Sequence, residues 1–232
     1  MILLNVRWYA RYSLSYRDFE EMMTERGRSV DHSTINRWLS QDGPGLDKRY
    51  RPHLRPNNDS WKVDETYVKV KGYWKYLYRA VVSNGQTPDF MLSVRRNAKV
   101  AKLFLRETFK ARNTVTPSVI NVDKNAAYPA AVNDLKIEEA LPEETEHRAV
   151  KYPNNQVEQD HRYNKRLVKP SLGFGSFNTA RQTLKGYEAI AMIRKGQIQN
   201  IGREDVTRQI SFIHQIFGRA ALIQVRKRDL IS

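Results

Sequence analysis

The chain has 232 residues, 40% of them hydrophobic, and its 40 lysine and arginine residues outnumber 25 aspartate and glutamate residues, giving a formal charge of +15. This length supports one sizeable core plus a small second module, and the charge indicates an anionic partner, most commonly nucleic acid, with a membrane surface as the alternative. The absence of cysteine excludes disulfides and thiolate metal sites, and the absence of a long apolar run excludes a membrane span and a signal peptide, so we expect a soluble, cytoplasmic protein.

The first fifty residues are predicted to form helices. Ser15 can cap a helix that stops at Gly27, and a further helix begins near Asp31 or Ser33. Two helices joined by a short Gly-containing break are typical of a helix-turn-helix, although an ordinary three-helix bundle has the same periodicity. The basic excess favours a DNA-binding module in residues 1–50. This module would contact DNA through a polar face formed by Ser33, Thr34, Asn36 and Arg37.

Residues 40–60 are rich in glycine, proline and polar side chains, which predicts a connector, with residues 51–60 as the linker proper. After the linker, hydrophobic and polar residues alternate as they do in β-strands. Three strands are predicted to form an antiparallel meander, with turns at Lys71-Gly72 and Asn84-Gly85.

Helices and strands alternate in the remainder of the chain. An amphipathic helix is predicted over about 97–109, a strand ending at Asp123, a helical piece over 126–135 interrupted by Pro129, and a strand in HRAVKY. The segment NNQVEQDHRYNKR then predicts a helix, followed by a long helix over 179–199 and another from about Asp205 into the basic tail. This order predicts an α/β fold in which a mixed sheet is flanked by helices, with residues 61–200 as the main domain and 201–232 as a basic helical extension.

Three acidic residues occupy positions where this order of elements would bring them together. Asp64 lies on the first strand, Asp123 ends the fourth, and Glu158, with 34 residues between it and Asp123, lies near the start of the next helix. Converging carboxylates repel one another unless cations neutralise them, and two magnesium ions about 3.5–4 Å apart would clamp an in-line phosphoryl displacement. Taken singly, strand solvation, a helix cap and a salt bridge explain the three acids equally well; only the combination favours a metal site.

Helical spacing places Glu158, His161, Arg162 and Lys165 on one face of their helix. The acid would hold metal while Arg162, Lys165 and Arg166 contact DNA phosphates, and Asp160 points elsewhere. For His161, a phosphate contact and an ordinary helix-surface contact are both open. The aromatic residues of the meander are expected to pack in the core rather than stack on bases: Trp61, Trp74, Tyr76 and Tyr78.

Several of these segments closely resemble the DDE transposases of bacterial insertion sequences, specifically the insertion-sequence-six family. The resemblance lies in WKVDETYVKVKGYWKYLYRAV, INVDKNAAYPAA, and NNQVEQDHRYNKR followed by LGFGSFNTARQTLKGYEA. The helix-turn-helix segment LSYRDFEEMMTERGRSVDHSTINRWL resembles that family as well. The similarity extends from about Val6 to Gln197, and the last thirty or so residues match loosely.

The resemblance implies an RNase H-like core with Asp64, Asp123 and Glu158 as catalytic metal ligands, and a basic residue seven positions after the glutamate, here Lys165. It implies two Mg²⁺ ions, with Mn²⁺ as a substitute, and neither a nucleotide cofactor nor a covalent protein intermediate. The implied reaction frees a 3′-hydroxyl at the end of the element, which then attacks target DNA and forms cointegrates. The implied partners are double-stranded terminal inverted repeats, target DNA and a second copy of the chain, in a homodimer or higher oligomer.

Two departures from the family pattern are visible. The family usually has roughly a dozen further residues before the position of Met1, so the first helix is expected to be incomplete. Val82 replaces the acid of the family's AVDS, which is expected to alter packing or local polarity rather than chemistry. Two alternatives to a transposase are an inactive, sequence-specific DNA-binding protein on the same scaffold and a nuclease that hydrolyses DNA without joining it.

Overall fold

The computed structural model describes residues 2–111, 113–122, 125–149, 155–169 and 173–218, and within these it describes all side chains except those of residues 2–5, 39, 155–160 and 164. Asp123 and the basic tail from residue 219 lie outside the described residues, as does the side chain of Glu158.

Three helices begin the chain: α1 (Ile2–Arg11), α2 (Tyr16–Thr24) and α3 (His32–Tyr50). The predicted cap of α2 is confirmed, because the Ser15 hydroxyl accepts a hydrogen bond from the Asp18 N–H at 3.1 Å while the Asp18 carboxylate accepts one from the Ser15 N–H at 2.7 Å. This reciprocal pair satisfies two backbone donors at the start of the helix. The chain leaves α2 through Gly27, whose φ of +67° suits glycine.

The connector predicted to start at residue 40 is wrong in its first half, because α3 continues through Gly43, Pro44 and Gly45 to Tyr50. The reason is tertiary. A Cβ at Gly43 would lie 2.8 Å from the carbonyl oxygen of Gln182, so the glycine lets α3 pack closely against helix α7 (Phe177–Arg194). Packing between helices can override low local helix propensity.

Five strands form one mixed sheet in the order β3-β2-β1-β4-β5. The strands are β1 (Ser60–Val70), β2 (Tyr73–Val82), β3 (Phe90–Ser93), β4 (Val119–Val122) and β5 (Glu146–Ala149). The first three are antiparallel neighbours, and β4 and β5 extend the sheet in parallel from β1. Lys71 and Gly72, with φ of +50° and +79°, form the predicted hairpin turn. An antiparallel meander followed by two parallel strands is the RNase H-like arrangement, so the predicted fold is confirmed.

The other helices are α4 (Ala98–Phe109), α5 (Ala127–Ile137), α6 (Asn155–Val168), α7 and α8 (Val206–Ile216). Pro129 does not interrupt α5, contrary to the prediction. It is the third residue of that helix, where the backbone N–H has no partner within the helix and its absence costs little. Helix α7 also ends earlier than predicted, because the chain adopts a left-handed conformation at Gly196.

Two hydrophobic clusters cover the two faces of the sheet. One contains Trp61, Val63 and Ile120 with residues of α4 and α5. The other contains Val68 and Leu77 with residues of α1, α2, α3, α6, α7 and α8, so the N-terminal helices share a core with the rest of the chain. The division into modules at residues 50 and 60 stays a prediction. Among the described helices, none combines the length and the apolar character needed to cross a bilayer.

Candidate active site

Asp64 lies near the middle of β1, at the point where β1 extends beyond β4. Val63 is paired with Val122 in the parallel register, and Asp123 is the next residue in the sequence, outside the described part of the chain. The predicted pairing of the first and fourth strands is therefore confirmed. The Asp64 side chain is 14% exposed, and its Oδ1 accepts a hydrogen bond from the Glu65 N–H at 2.8 Å.

Helix α6 packs against β1 and β2 on the face that carries Asp64. The contact is made by His161, which is only 6% exposed and whose Nε2 lies 3.3 Å from Asp64 Oδ2 without the alignment of a hydrogen bond. Glu158 is one helical turn before His161. The helix that carries Glu158 thus lies beside the strand that carries Asp64, and the meeting of all three carboxylates stays a prediction.

The residues that helical spacing places on one face of α6 differ in burial. Arg162 and Lys165 are exposed, whereas His161 is buried against the sheet, which also excludes an ordinary helix-surface contact. A sequence signal for this burial exists. His161 follows Val157 by four residues and precedes Val168 by seven, so it falls in the apolar stripe of its helix.

Glu65 is a site residue whose role the sequence did not reveal. Solvation at a strand edge does not explain it, since its side chain is 1% exposed. Its carboxylate forms an ion pair with Arg96 and accepts hydrogen bonds from Asn125 Nδ2, at 2.9 Å, and from the Tyr128 hydroxyl. Burial, together with the neighbouring charge of Glu65, raises the pKa of Tyr128 well above its usual value, so the hydroxyl remains a donor.

The contacts of Glu65 hold the connection between β4 and α5. That connection contains Asp123 in the sequence; β4 pairs with β1 before it, and Asn125 and Tyr128 bind Glu65 after it. The signal in the sequence was strand alternation, because Glu65 lies on the same face of β1 as the buried Val63. A charged residue on a buried face requires partners.

The three basic residues predicted to contact DNA from α6 are all exposed: Arg162, Lys165 and Arg166. The Arg166 guanidinium lies 5.6 Å from the centre of the Tyr163 ring, which restricts its conformations. Contact with DNA itself stays a prediction.

The polar face predicted on α3 has mixed roles. Ser33 is exposed, and both its hydroxyl and its N–H donate to the Asp31 carboxylate, at 2.7 and 2.9 Å, as part of the helix cap. Asn36 is half-buried and accepts a hydrogen bond from the Tyr16 hydroxyl at 3.2 Å. Thr34 is also half-buried, whereas Arg37 is exposed and available to a ligand. DNA binding by this face stays a prediction.

Among the side chains that the structure describes, one group has ligand atoms close enough to share a metal ion: Glu20, Asp31 and His32. Its geometry is explained by helix capping. Asp31 caps α3, and Glu20 accepts a hydrogen bond from the backbone N–H of His32. These residues therefore gain no metal-binding role from their proximity.

Of the four aromatic residues expected to pack in the core, Trp61 and Tyr78 are buried as predicted and Tyr76 packs at the margin of the core. The expectation is wrong for Trp74, which is 61% exposed. Trp74 lies at the hairpin end of the sheet face that α4 and α5 cover, beyond the half-buried Tyr76 where that hydrophobic cluster stops.

Comparisons with known proteins give a consistent picture. The family model described as a DDE domain, of the IS240 transposase type, matches residues 58–197. The transposase for the insertion sequence-like element IS431mec of Staphylococcus aureus is 37% identical over 196 residues, 84% of each chain. The transposase for the element IS257 in transposon Tn4003, also from Staphylococcus aureus, is 36% identical over the same length.

Among solved structures, the catalytic core domain of HTLV-2 integrase in complex with magnesium has a TM-score of 0.44 and 16% identity, covering 63% of this chain and 91% of that one. The catalytic core domain of BIV integrase has a TM-score of 0.44 and 17% identity, covering 69% and 99%. The sequence relationships decide the identity: the match to the DDE domain spans more than half of the chain, and the transposase relatives span most of it. The chain belongs to the DDE-domain transposases of insertion sequences, in the insertion-sequence-six family.

Proposed function

We propose that this transposase binds the terminal inverted repeats of its insertion sequence, cleaves the 3′ ends and joins them to target DNA, forming cointegrates. The observation that carries the proposal is the position of Asp64. Its strand pairs in parallel with β4 up to the residue before Asp123, and the helix that contains Glu158 packs over it through His161. This arrangement supports convergence of the three carboxylates.

A DDE-domain transposase uses a divalent metal ion, and the residues of this chain fit one. Carboxylate oxygens suit hard cations, and Asp64 retains acceptor capacity, because each of its oxygens has two lone pairs and only Oδ1 accepts a protein hydrogen bond among its described contacts. We assign Asp64, Asp123 and Glu158 as ligands of two Mg²⁺ ions, with Mn²⁺ as a substitute. When bound, the ions neutralise charge on the phosphodiester and activate the attacking oxygen.

The protein's own residues would position the carboxylates and the DNA. His161 restricts Asp64 from the α6 side, and Glu65 holds the connection after β4 from within the sheet. Arg162, Lys165 and Arg166 would bind substrate phosphates beside the carboxylates, while Arg37 on α3 would contact the inverted repeat. Two element ends require two active sites, which supports a homodimer or higher oligomer.

The substitution at Val82 supports an active enzyme. Val82 is fully buried and pairs with Trp61 on the face of the sheet opposite Asp64. An acid there would be buried away from the proposed metal ligands, so valine changes packing on the far face and leaves the carboxylates unaltered.

The test is a strand-transfer assay with oligonucleotides that carry the inverted repeats flanking the reading frame, in Mg²⁺ or Mn²⁺. Asp64→Asn, Asp123→Asn and Glu158→Gln should each reduce joined product more than about a hundredfold, since the ions supply several kcal/mol of transition-state stabilisation. Repeat binding should persist, and chelation with EDTA should abolish product in the unaltered protein.

Asp160→Asn is the matched control on the same helix and should retain activity. Joined product that persists in Asp123→Asn would refute the proposal. Hydrolysis without joining would identify a nuclease, and tight repeat binding with no metal-dependent product would identify an inactive DNA-binding protein.

A further inference from the structure

A groove follows the edge of β1 beyond the point where β4 ends. It encloses about 560 Å³ and lies between β1, the end of α6 and Gly173, and its lining residues are Thr66, Tyr67, Val68, Lys69, Trp74, Lys165, Val168, Lys169 and Gly173. Phe174 closes its far end, because its N–H donates to the Lys69 carbonyl at 3.0 Å and its carbonyl accepts from the Lys71 N–H at 2.8 Å. A groove of this volume is in the range of sites that hold one or two planar organic groups.

One wall of the groove is an ordered aromatic surface. Trp74 packs edge-on against Tyr67, with ring centres 6.3 Å apart, and Tyr67 packs against Tyr76 at 5.5 Å. Trp74 nevertheless remains 61% exposed and Tyr67 44% exposed. Large aromatic side chains held in place yet open to solvent are the feature that single-stranded nucleic acid proteins use to stack bases.

The charges of the groove decide between nucleic acid and a protein partner. Among the described residues, its lining includes Lys69, Lys165 and Lys169 and no acid. Lysine is depleted in protein–protein interfaces, and three uncompensated lysines around an apolar surface complement a phosphate backbone.

The groove also starts next to the proposed active site. Thr66, which lines the groove, lies two residues after Asp64 on the same face of β1, about 7 Å away at roughly 3.3 Å per residue. Tyr67, Lys69 and Trp74 lie on the opposite face, so a DNA strand with its phosphate at Asp64 would cross the edge of β1 beyond β4 to reach Trp74.

We propose that this groove binds unpaired nucleotides of the DNA strand adjoining the reacting phosphate, with a base stacked on Trp74 and the backbone neutralised by Lys69 and Lys169. This inference rests on the proposed function for its position beside the active site. The stacking itself requires neither metal nor catalysis.

The test measures binding of a fluorescein-labelled oligo(dT) 20-mer, and of an abasic oligomer of the same length, in EDTA. Trp74→Ala and Trp74→Leu should weaken binding of oligo(dT) by between about 5- and 150-fold, the range for loss of one stacked base, and leave binding of the abasic oligomer unchanged. Trp74→Phe should retain most of the difference between the two oligomers. Ile137→Ala, which truncates a side chain 73% exposed on α5, is the matched control and should change neither affinity.

Lysine substitutions test the phosphate contacts. Lys69→Ala and Lys169→Ala should weaken both oligomers equally and each reduce the slope of log K against log salt by about 0.7, whereas Lys99→Ala on α4 should not. An unchanged ratio of oligo(dT) to abasic affinity in Trp74→Ala and Trp74→Leu overturns the inference. So does a change confined to self-association in sedimentation velocity, which would make the surface an interface between copies of the chain.

The two proposals fail separately. Trp74-dependent base binding in a protein that yields no strand-transfer product would overturn the proposed function alone. Strand transfer without Trp74-dependent base binding would overturn the groove alone.

Discussion

A single buried carboxylate organises the surroundings of the proposed metal ligands. Glu65 is adjacent to Asp64 in sequence but points to the opposite face of the sheet, where it contacts Arg96, Asn125 and Tyr128. Because successive side chains of a strand point to opposite faces of the sheet, these two neighbouring acids have different roles. Asp64 faces α6, and Glu65 fixes the backbone that follows Asp123.

Replacing Glu65 with glutamine keeps the shape and removes the charge. We expect a loss of about 1–3 kcal/mol in the free energy of unfolding, less than for a fully buried pair because solvent screens the Arg96 side chain, which is 34% exposed. Strand transfer should fall more than DNA binding, since the connection carrying Asp123 loosens. Urea unfolding and the strand-transfer assay measure the two effects.

The control for this change is Glu107→Gln, which removes an exposed acid paired with Lys110 and should shift stability by no more than about 0.5 kcal/mol. Equal stability of Glu65→Gln and Glu107→Gln would show that the contacts of Glu65 contribute little.

At the scale of elements, the crossing of α3 and α7 explains a helix that local propensity disfavours. Gly43 of α3 faces Gly186 of α7, and a Cβ on Gly186 would lie 3.3 Å from the Gly43 Cα. Two glycines at one crossing allow the backbones to approach closely, and the resulting packing sustains α3 through Pro44. This crossing connects the N-terminal helices to the main domain.

Gly43→Ala should destabilise the protein by about 1–3 kcal/mol, because the added methyl meets the backbone carbonyl of Gln182 at 2.8 Å and neither helix can yield easily. Gly45→Ala is a control two residues away in the same helix, where the nearest atom to a Cβ is an edge carbon of the Phe217 ring at 3.9 Å. It should be neutral or stabilise by up to about 1 kcal/mol through higher helix propensity. Thermal unfolding of both variants tests the crossing, and a Gly43→Ala protein as stable as Gly45→Ala would contradict it.

At the scale of the whole molecule, one buried ion pair connects the sheet to the helical layer. Arg79 of β2 and Glu188 of α7 are 1% and 0% exposed, and they contact each other through their side chains. Since α7 also packs against α1 and α3, the sheet and the N-terminal helices are joined through α7. This continuity predicts a single cooperative unit of unfolding.

Glu188→Ala leaves the Arg79 guanidinium buried without its acid, and should cost about 3–5 kcal/mol. The double substitution Arg79→Met with Glu188→Leu should recover part of that loss, because two apolar side chains leave no buried charge. Hydrogen exchange should show equal loss of protection in α3 and β1 for Glu188→Ala. Loss confined to α3, or an earlier separate transition of α1 to α3, would support an independent module in residues 1–50.

Features that depend on neighbours along the chain follow from the amino-acid sequence alone. The Ser15 cap, the Lys71-Gly72 turn and the strand and helix periods are local, so the elements and the sheet class follow from short segments. The spacing of Asp64, Asp123 and Glu158, within motifs that resemble one family, sufficed to identify the transposase.

Which faces of the elements are covered depends on contacts between segments distant in the chain. Gly43 is helical because it meets Gly186, 143 residues later, and His161 is buried because α6 lies across β1. Trp74 is exposed because it lies at the hairpin end of its sheet face, beyond the cluster that α4 and α5 cover. The burial of a residue depends on which elements, distant in sequence, pack against it. The same aromatic or charged residue can therefore lie in the core, anchor a neighbouring segment or form a binding surface.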